Sequence, residues 1–213
     1  MMSLPLHLAP LALMVTSLLV ACGAQEPGVP APAHPVSRVQ GQVDRAALPA
    51  GDARVLLTAE QTVLSSAALQ ADGRFDLPLP AAAAMAPYLG PAAQRFAGDP
   101  NDCVSGLRVT PPDLRVARFV SLEVQLEGRA VAQVAQLSRS GTAESSVWYV
   151  FADRPGRLEG HIRCETADDL RARIRFDVTL EAGWNALRSN LFLGGGLLTS
   201  APGPVPAWKT SLR

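Results

Sequence analysis

The chain has 213 residues, of which 19 are basic and 19 acidic, and all of these charges lie beyond the first 21 positions. A formally neutral remainder of about 190 residues is enough for one domain or two small ones. It gives no electrostatic argument for nucleic acid or anionic lipid as a partner.

Met1 to His7 is followed by an apolar run from Leu8 to Ala21, broken by Pro10, Thr16 and Ser17. A membrane-spanning helix needs roughly 20 apolar residues, so the run is too short and reads as a secretory signal. No Lys or Arg precedes the apolar core, which departs from the positive start usual in such signals.

The run ends in Leu19-Val20-Ala21-Cys22. These four residues resemble the lipobox of bacterial lipoproteins. The resemblance implies that residues 1–21 are removed and that Cys22 becomes a diacylglycerol-bearing first residue. Two or three buried acyl chains, at roughly 0.8 kcal/mol per methylene, make a stable anchor. Gly23 after the cysteine implies release toward the outer membrane in a source with two membranes. The resemblance thus places the protein in the bacterial cell envelope, on a membrane through Cys22.

Residues 22–37 contain Pro27, Pro30, Pro32 and Pro35 without a periodic apolar face, and read as a tether. At about 3.1 Å per residue in polyproline geometry it spans up to roughly 45 Å. The tether also carries His34.

Residues 38–80 read as an N-terminal β part. Val39 to Val43 alternates apolar and polar positions, Ala53 to Thr58 follows a turn at Leu48 to Asp52, and Asp72-Gly73 turns into Arg74 to Leu79. Gly41-Gln42-Val43, Ala53 to Leu57 and Ala71 to Leu77 resemble the carboxypeptidase-regulatory-like, or transthyretin-like, β-sandwich modules. That resemblance implies a structural or binding unit without catalytic residues. The chain departs from it at Pro80 to Met85.

Residues 81–117 read as a connecting segment. Its alanines favour helix while Pro87, Gly90 and Pro91 interrupt it, giving short helical turns near 81–97. Asp99-Pro100-Asn101-Asp102 is a loop whose three oxygen side chains suit a calcium ion, but it lacks the twelve-residue loop and closing Glu of an EF-hand.

Residues 118–213 form a C-terminal β part. Leu122, Val124 and Leu126 alternate with polar residues, and Ala130 to Leu137 returns as their partner. Val147 to Phe151 is apolar on both faces, as a covered central strand is. Leu158, Gly160, Ile162 and Cys164 alternate with Glu159, His161 and Arg163, and Ile174, Phe176, Val178 and Leu180 with Arg175, Asp177 and Thr179. Gly183 to Leu187 opens a further strand, and a last edge strand lies near Trp208. Turns every 8 to 12 residues indicate an all-β fold, a sandwich or barrel-like set of antiparallel sheets, as one body or two small β subdomains.

Cys103 and Cys164 remain after lipidation, and in an exported chain the pair reads as one disulfide. His161 is the one histidine in the β part. Neither a nucleophile elbow nor a zinc-ligand spacing accompanies it, so no catalytic residue, metal ligand or cofactor is assigned. Ser138 to Thr142 with Ser145-Ser146 reads as a flexible hairpin loop, and Gly194-Gly195-Gly196 as a mobile turn. Glu165 and Asp168-Asp169 form an acidic loop beside Arg171, Arg173 and Arg175. Trp148, Tyr149, Trp184 and Trp208 read as core anchors.

The lipobox, tether, Trp148 to Arg154 and Leu180 to Asn185 are together similar to small envelope lipoproteins without an assigned activity. The expected function is a non-enzymatic, membrane-anchored module for binding or assembly, with an envelope protein or glycan as partner and no nucleic acid. Two alternatives stand beside it, an extracytoplasmic enzyme with an unrecognised site and a carrier of an apolar ligand.

Overall fold

The computed structural model describes residues 36–48, 50–98, 103–119, 121–165, 171–200 and 208–212. Strand accounts for 66% of it and helix for 9%, which makes the protein all-β. The expected antiparallel sheets are present, with one parallel pair among them.

The N-terminal strands are β1 (Arg38–Gln42), β2 (Ala53–Ala59), β3 (Thr62–Ala68) and β4 (Arg74–Pro78). The pair β1–β4 forms a small sheet of its own, with Gly41 opposite Phe75. A Cβ on Gly41 would come within 2.2 Å of the Trp208 indole nitrogen, so only glycine lets that ring lie against the strand. Two short helices follow, α1 (Ala82–Met85) and α2 (Ala92–Phe96), separated by the two-residue β5 (Gly90–Pro91).

The remaining strands are β6 (Cys103–Ser105), β7 (Arg108–Thr110), β8 (Arg115–Phe119), β9 (Leu122–Leu126), β10 (Arg129–Ser140), β11 (Ala143–Ala152), β12 (Gly156–Glu165), β13 (Arg171–Leu180), β14 (Gly183–Phe192), β15 (Gly195–Ser200) and β16 (Trp208–Leu212). The large sheet runs β3-β2-β9-β10-β11-β14-β15-β13-β12-β6. N-terminal β2 pairs directly with C-terminal β9, so the two ends of the chain share one sheet.

Two apolar cores lie on opposite sides of β11. Val147, Tyr149 and Phe151 face the first, with Val55, Leu57, Val124, Trp184 and Trp208. Val150 and Ala152 face the second, with Phe96, Leu158, Phe176, Val178 and Leu198. An unbroken apolar run on β11 is what a strand buried on both faces requires.

The second core has a barrel-like wall. The strand path β8-β11-β14-β15-β13-β12-β7 ends in two strands joined only by residues 111–114, so the sheet curls back on itself. Strand β15 is wedged between β13 and β14, parallel to the first and antiparallel to the second. The wedge depends on glycine. A Cβ on Gly195 would meet the Arg173 carbonyl at 2.7 Å, and one on Gly196 would meet Leu191 Cδ2 at 2.6 Å. Asn185 holds the apex of the wedge by accepting from the Glu181 N–H and donating to the Glu181 and Gly183 carbonyls. Gly195 and Gly196 are therefore strand residues, and the turn is confined to Leu193 and Gly194.

Cys103 and Cys164 stand directly opposite each other on β6 and β12 and form the expected disulfide. The serine segment also differs from its loop reading. Ser138 and Ser140 lie in β10, Ser145 and Ser146 in β11, and only Gly141 and Thr142 turn between them.

Candidate functional site: a cationic sheet face

The curl that buries Leu158, Ile162, Phe176 and Val178 turns the alternate residues of β12 and β13 outward. Pairing places His161 opposite Arg175 and Arg163 opposite Arg173. The second pair continues sideways in both directions, to Val104 on β6 and to Gly195 on β15, with Phe192 of β14 opposite Gly195. One row across the sheet therefore reads Val104, Arg163, Arg173, Gly195, Phe192. It has two facing cations in the middle and an apolar side chain at each end.

The acids on this face are already engaged. Arg157 Nη2 lies 2.8 Å from Glu159 and 3.5 Å from Asp177, and Arg108 Nη2 lies 3.9 Å from Glu159. Among the described residues no ion pair joins Arg163, Arg173 or Arg175 to a carboxylate. Like charges placed directly opposite on a sheet are destabilising, so among the described residues the Arg163–Arg173 pair is a point of excess positive charge. An open depression of about 900 Å³ runs along it, lined by Arg108, His161, Arg173, Arg175, Phe192 and Leu197 among others.

His161 reports that field. Desolvation first, then the Arg173 and Arg163 guanidinium groups, hold its pKa below the ordinary histidine value, which favours a neutral imidazole at pH 7. At the rim stand the exposed apolar side chains, Val104 at 75%, Phe192 at 55% and Leu193 at 76%. Together they border the cations on both sides.

The arrangement suits charge recognition. Asp153, the acid a histidine mechanism would recruit, accepts the Arg115 N–H at 3.0 Å and pairs with Arg154 at 3.1 Å. Neither Asp153 nor a serine lines the depression beside His161. Among the described residues no group of three His, Cys, Asp or Glu side chains is placed to hold a metal ion. A gap between Phe119, Leu122, Tyr149 and Trp208 leaves no room for a water molecule.

The anchors expected from composition are placed in the cores. Tyr149, Trp184 and Trp208 are buried, and Trp148 is partly buried with the Arg118 guanidinium 4.9 Å from its ring centre. Cys22, His34, the Asp99 to Asp102 loop and the Asp168-Asp169 pair lie outside the described residues. Sequence reading noted Arg171, Arg173 and Arg175 only as neighbours of an acidic loop. The outward alternation of β12 and β13 was visible, but the register that sets Arg163 against Arg173 was not.

Among the described residues no helix is long and apolar enough to cross a membrane. Comparison with protein-family models, with curated protein sequences and with solved structures finds no match to this chain.

Proposed function

We propose that this protein is a lipid-anchored component of the bacterial envelope whose β domain binds an anionic envelope component without transforming it. The observation that carries the reading is the row of facing Arg163 and Arg173, with Arg175 beside them and, among the described residues, no carboxylate in an ion pair with any of the three. Natural sheets avoid such pairs unless something else supplies the counter-charge. The lipobox and the proline tether supply the address, and the disulfide fits an oxidising compartment. Glu159 and Asp177 share the depression with His161 but are paired with Arg157 and Arg108, and no serine, threonine or cysteine lines it, which is the reason for preferring binding to catalysis.

Two measurements test the two halves. Cys22→Ser is expected to move the protein out of the detergent phase or block its maturation, and unchanged partitioning contradicts the anchor. Crosslinking in intact envelope is expected to retain a component with the natural chain and lose it with Arg163→Gln/Arg173→Gln/Arg175→Gln. Equal recovery with both chains contradicts a role for the face.

A further inference from the structure

We infer that the anionic component is the phosphate-bearing headgroup layer of a bilayer, and that Phe192 and Leu193 enter the interface beside it. This rests on the binding reading above and names its ligand. The unpaired cations do not stand alone. The row that carries Arg163 and Arg173 is closed by Val104 on one side and Phe192 on the other, and Leu193 extends the tip beyond it. A free phosphate ion has no use for three exposed apolar side chains, whereas a headgroup layer presents phosphates over an acyl boundary. Arginine satisfies the first and a Phe-Leu tip the second.

Chain geometry permits this pose on the same membrane as the anchor. The Val36 N–H donates to the Trp184 carbonyl at 2.9 Å, so the tether joins the domain at the start of β14. Phe192 lies at the other end of that strand, roughly 26 Å away at about 3.3 Å per residue. A tether spanning up to roughly 45 Å covers that distance. The outward face of β12 and β13, its cations and the apolar tip then meet one surface.

The test uses the full-length chain carrying Cys22→Ser, so that no acyl group anchors it. Its first 21 residues have no charged side chain, and the Met1 α-amino group is common to every variant, so their contribution cancels when the variants are compared. Co-sedimentation with phosphatidylcholine vesicles is compared with vesicles of equal parts phosphatidylcholine and phosphatidylglycerol. The expected result is a preference for the anionic vesicles that falls roughly fivefold for each of Arg163, Arg173 and Arg175 changed to Gln, and weakens in salt. The triple Arg→Lys variant keeps the charge and retains the preference, which controls for folding. Leu193→Ser weakens vesicle binding and leaves binding of inorganic phosphate as it was.

Equal binding to both vesicle types overturns the inference, as does a preference that survives the triple Gln change. Saturable binding of inorganic phosphate without vesicle preference overturns the lipid source in favour of a soluble phosphate. If vesicles fail while envelope crosslinking still depends on the three arginines, the binding reading stands and only the headgroup assignment falls.

Discussion

At the scale of single residues, the buried polar groups show how the first core is specified. The Tyr149 hydroxyl donates to Gln136 Oε1 at 2.6 Å, and burial pushes its pKa well above the ordinary tyrosine value. Tyr149→Phe removes a buried bond and is expected to cost about 1–2 kcal/mol in urea unfolding; an unchanged midpoint would contradict that role. His161 makes the opposite kind of contribution. Its pKa is lower folded than unfolded, so the unfolded chain binds the proton more readily. Stability is therefore full above the ordinary histidine value near 6.5 and declines as pH falls from there through the lowered folded value. His161→Gln is expected to flatten that decline in a thermal unfolding series, and a series identical to the natural chain's would contradict it. Cys103 and Cys164 were legible as a pair because, with Cys22 read as the lipidated residue, two cysteines remain and allow one pairing. Trp184 and Trp208 were legible as anchors because few other large side chains exist to fill the cores.

At the scale of elements, long alternating strands were legible and short ones were not. The sequence patterns of β9, β12 and β13 show polar and apolar faces directly. Strand β3 went unread because its hairpin turns on Glu60 and Gln61, both at positive φ (48° and 69°), where asparagine or glycine is the usual signal. Strands β6 and β7 have three residues each, too few for a period, so residues 81–117 read as a connector although they pair with β12 and β11. Gly195-Gly196 looked like a loop because glycine is a turn residue, whereas here it permits close strand approach. The disulfide belongs to this scale, since it ties three-residue β6 to β12 across a sequence separation of 61. Replacing both cysteines by Ala is expected to lower unfolding stability by about 4 kcal/mol on chain-entropy grounds. Equal denaturation midpoints for the two chains would show that the strand pairing alone holds β6.

At the scale of the whole molecule, a formal charge of zero concealed a strongly uneven surface. Composition counts the acids and bases but not their register. Here Arg157 and Arg108 take up Glu159 and Asp177, while among the described residues Arg163, Arg173 and Arg175 form no ion pair with a carboxylate. The all-β class was legible from turn spacing, but the curl that buries one side of β12–β13 and exposes the other depends on long-range pairing that no local window contains. The central claim is that this exposed side is the working surface. Hydrogen–deuterium exchange, read by mass spectrometry with and without anionic vesicles, tests it most directly. Slower exchange confined to peptides covering residues 103–108, 157–163, 171–177 and 190–197 is the predicted result. Protection confined to the β2–β3 edge, or none anywhere at vesicle concentrations that sediment the protein, would contradict it.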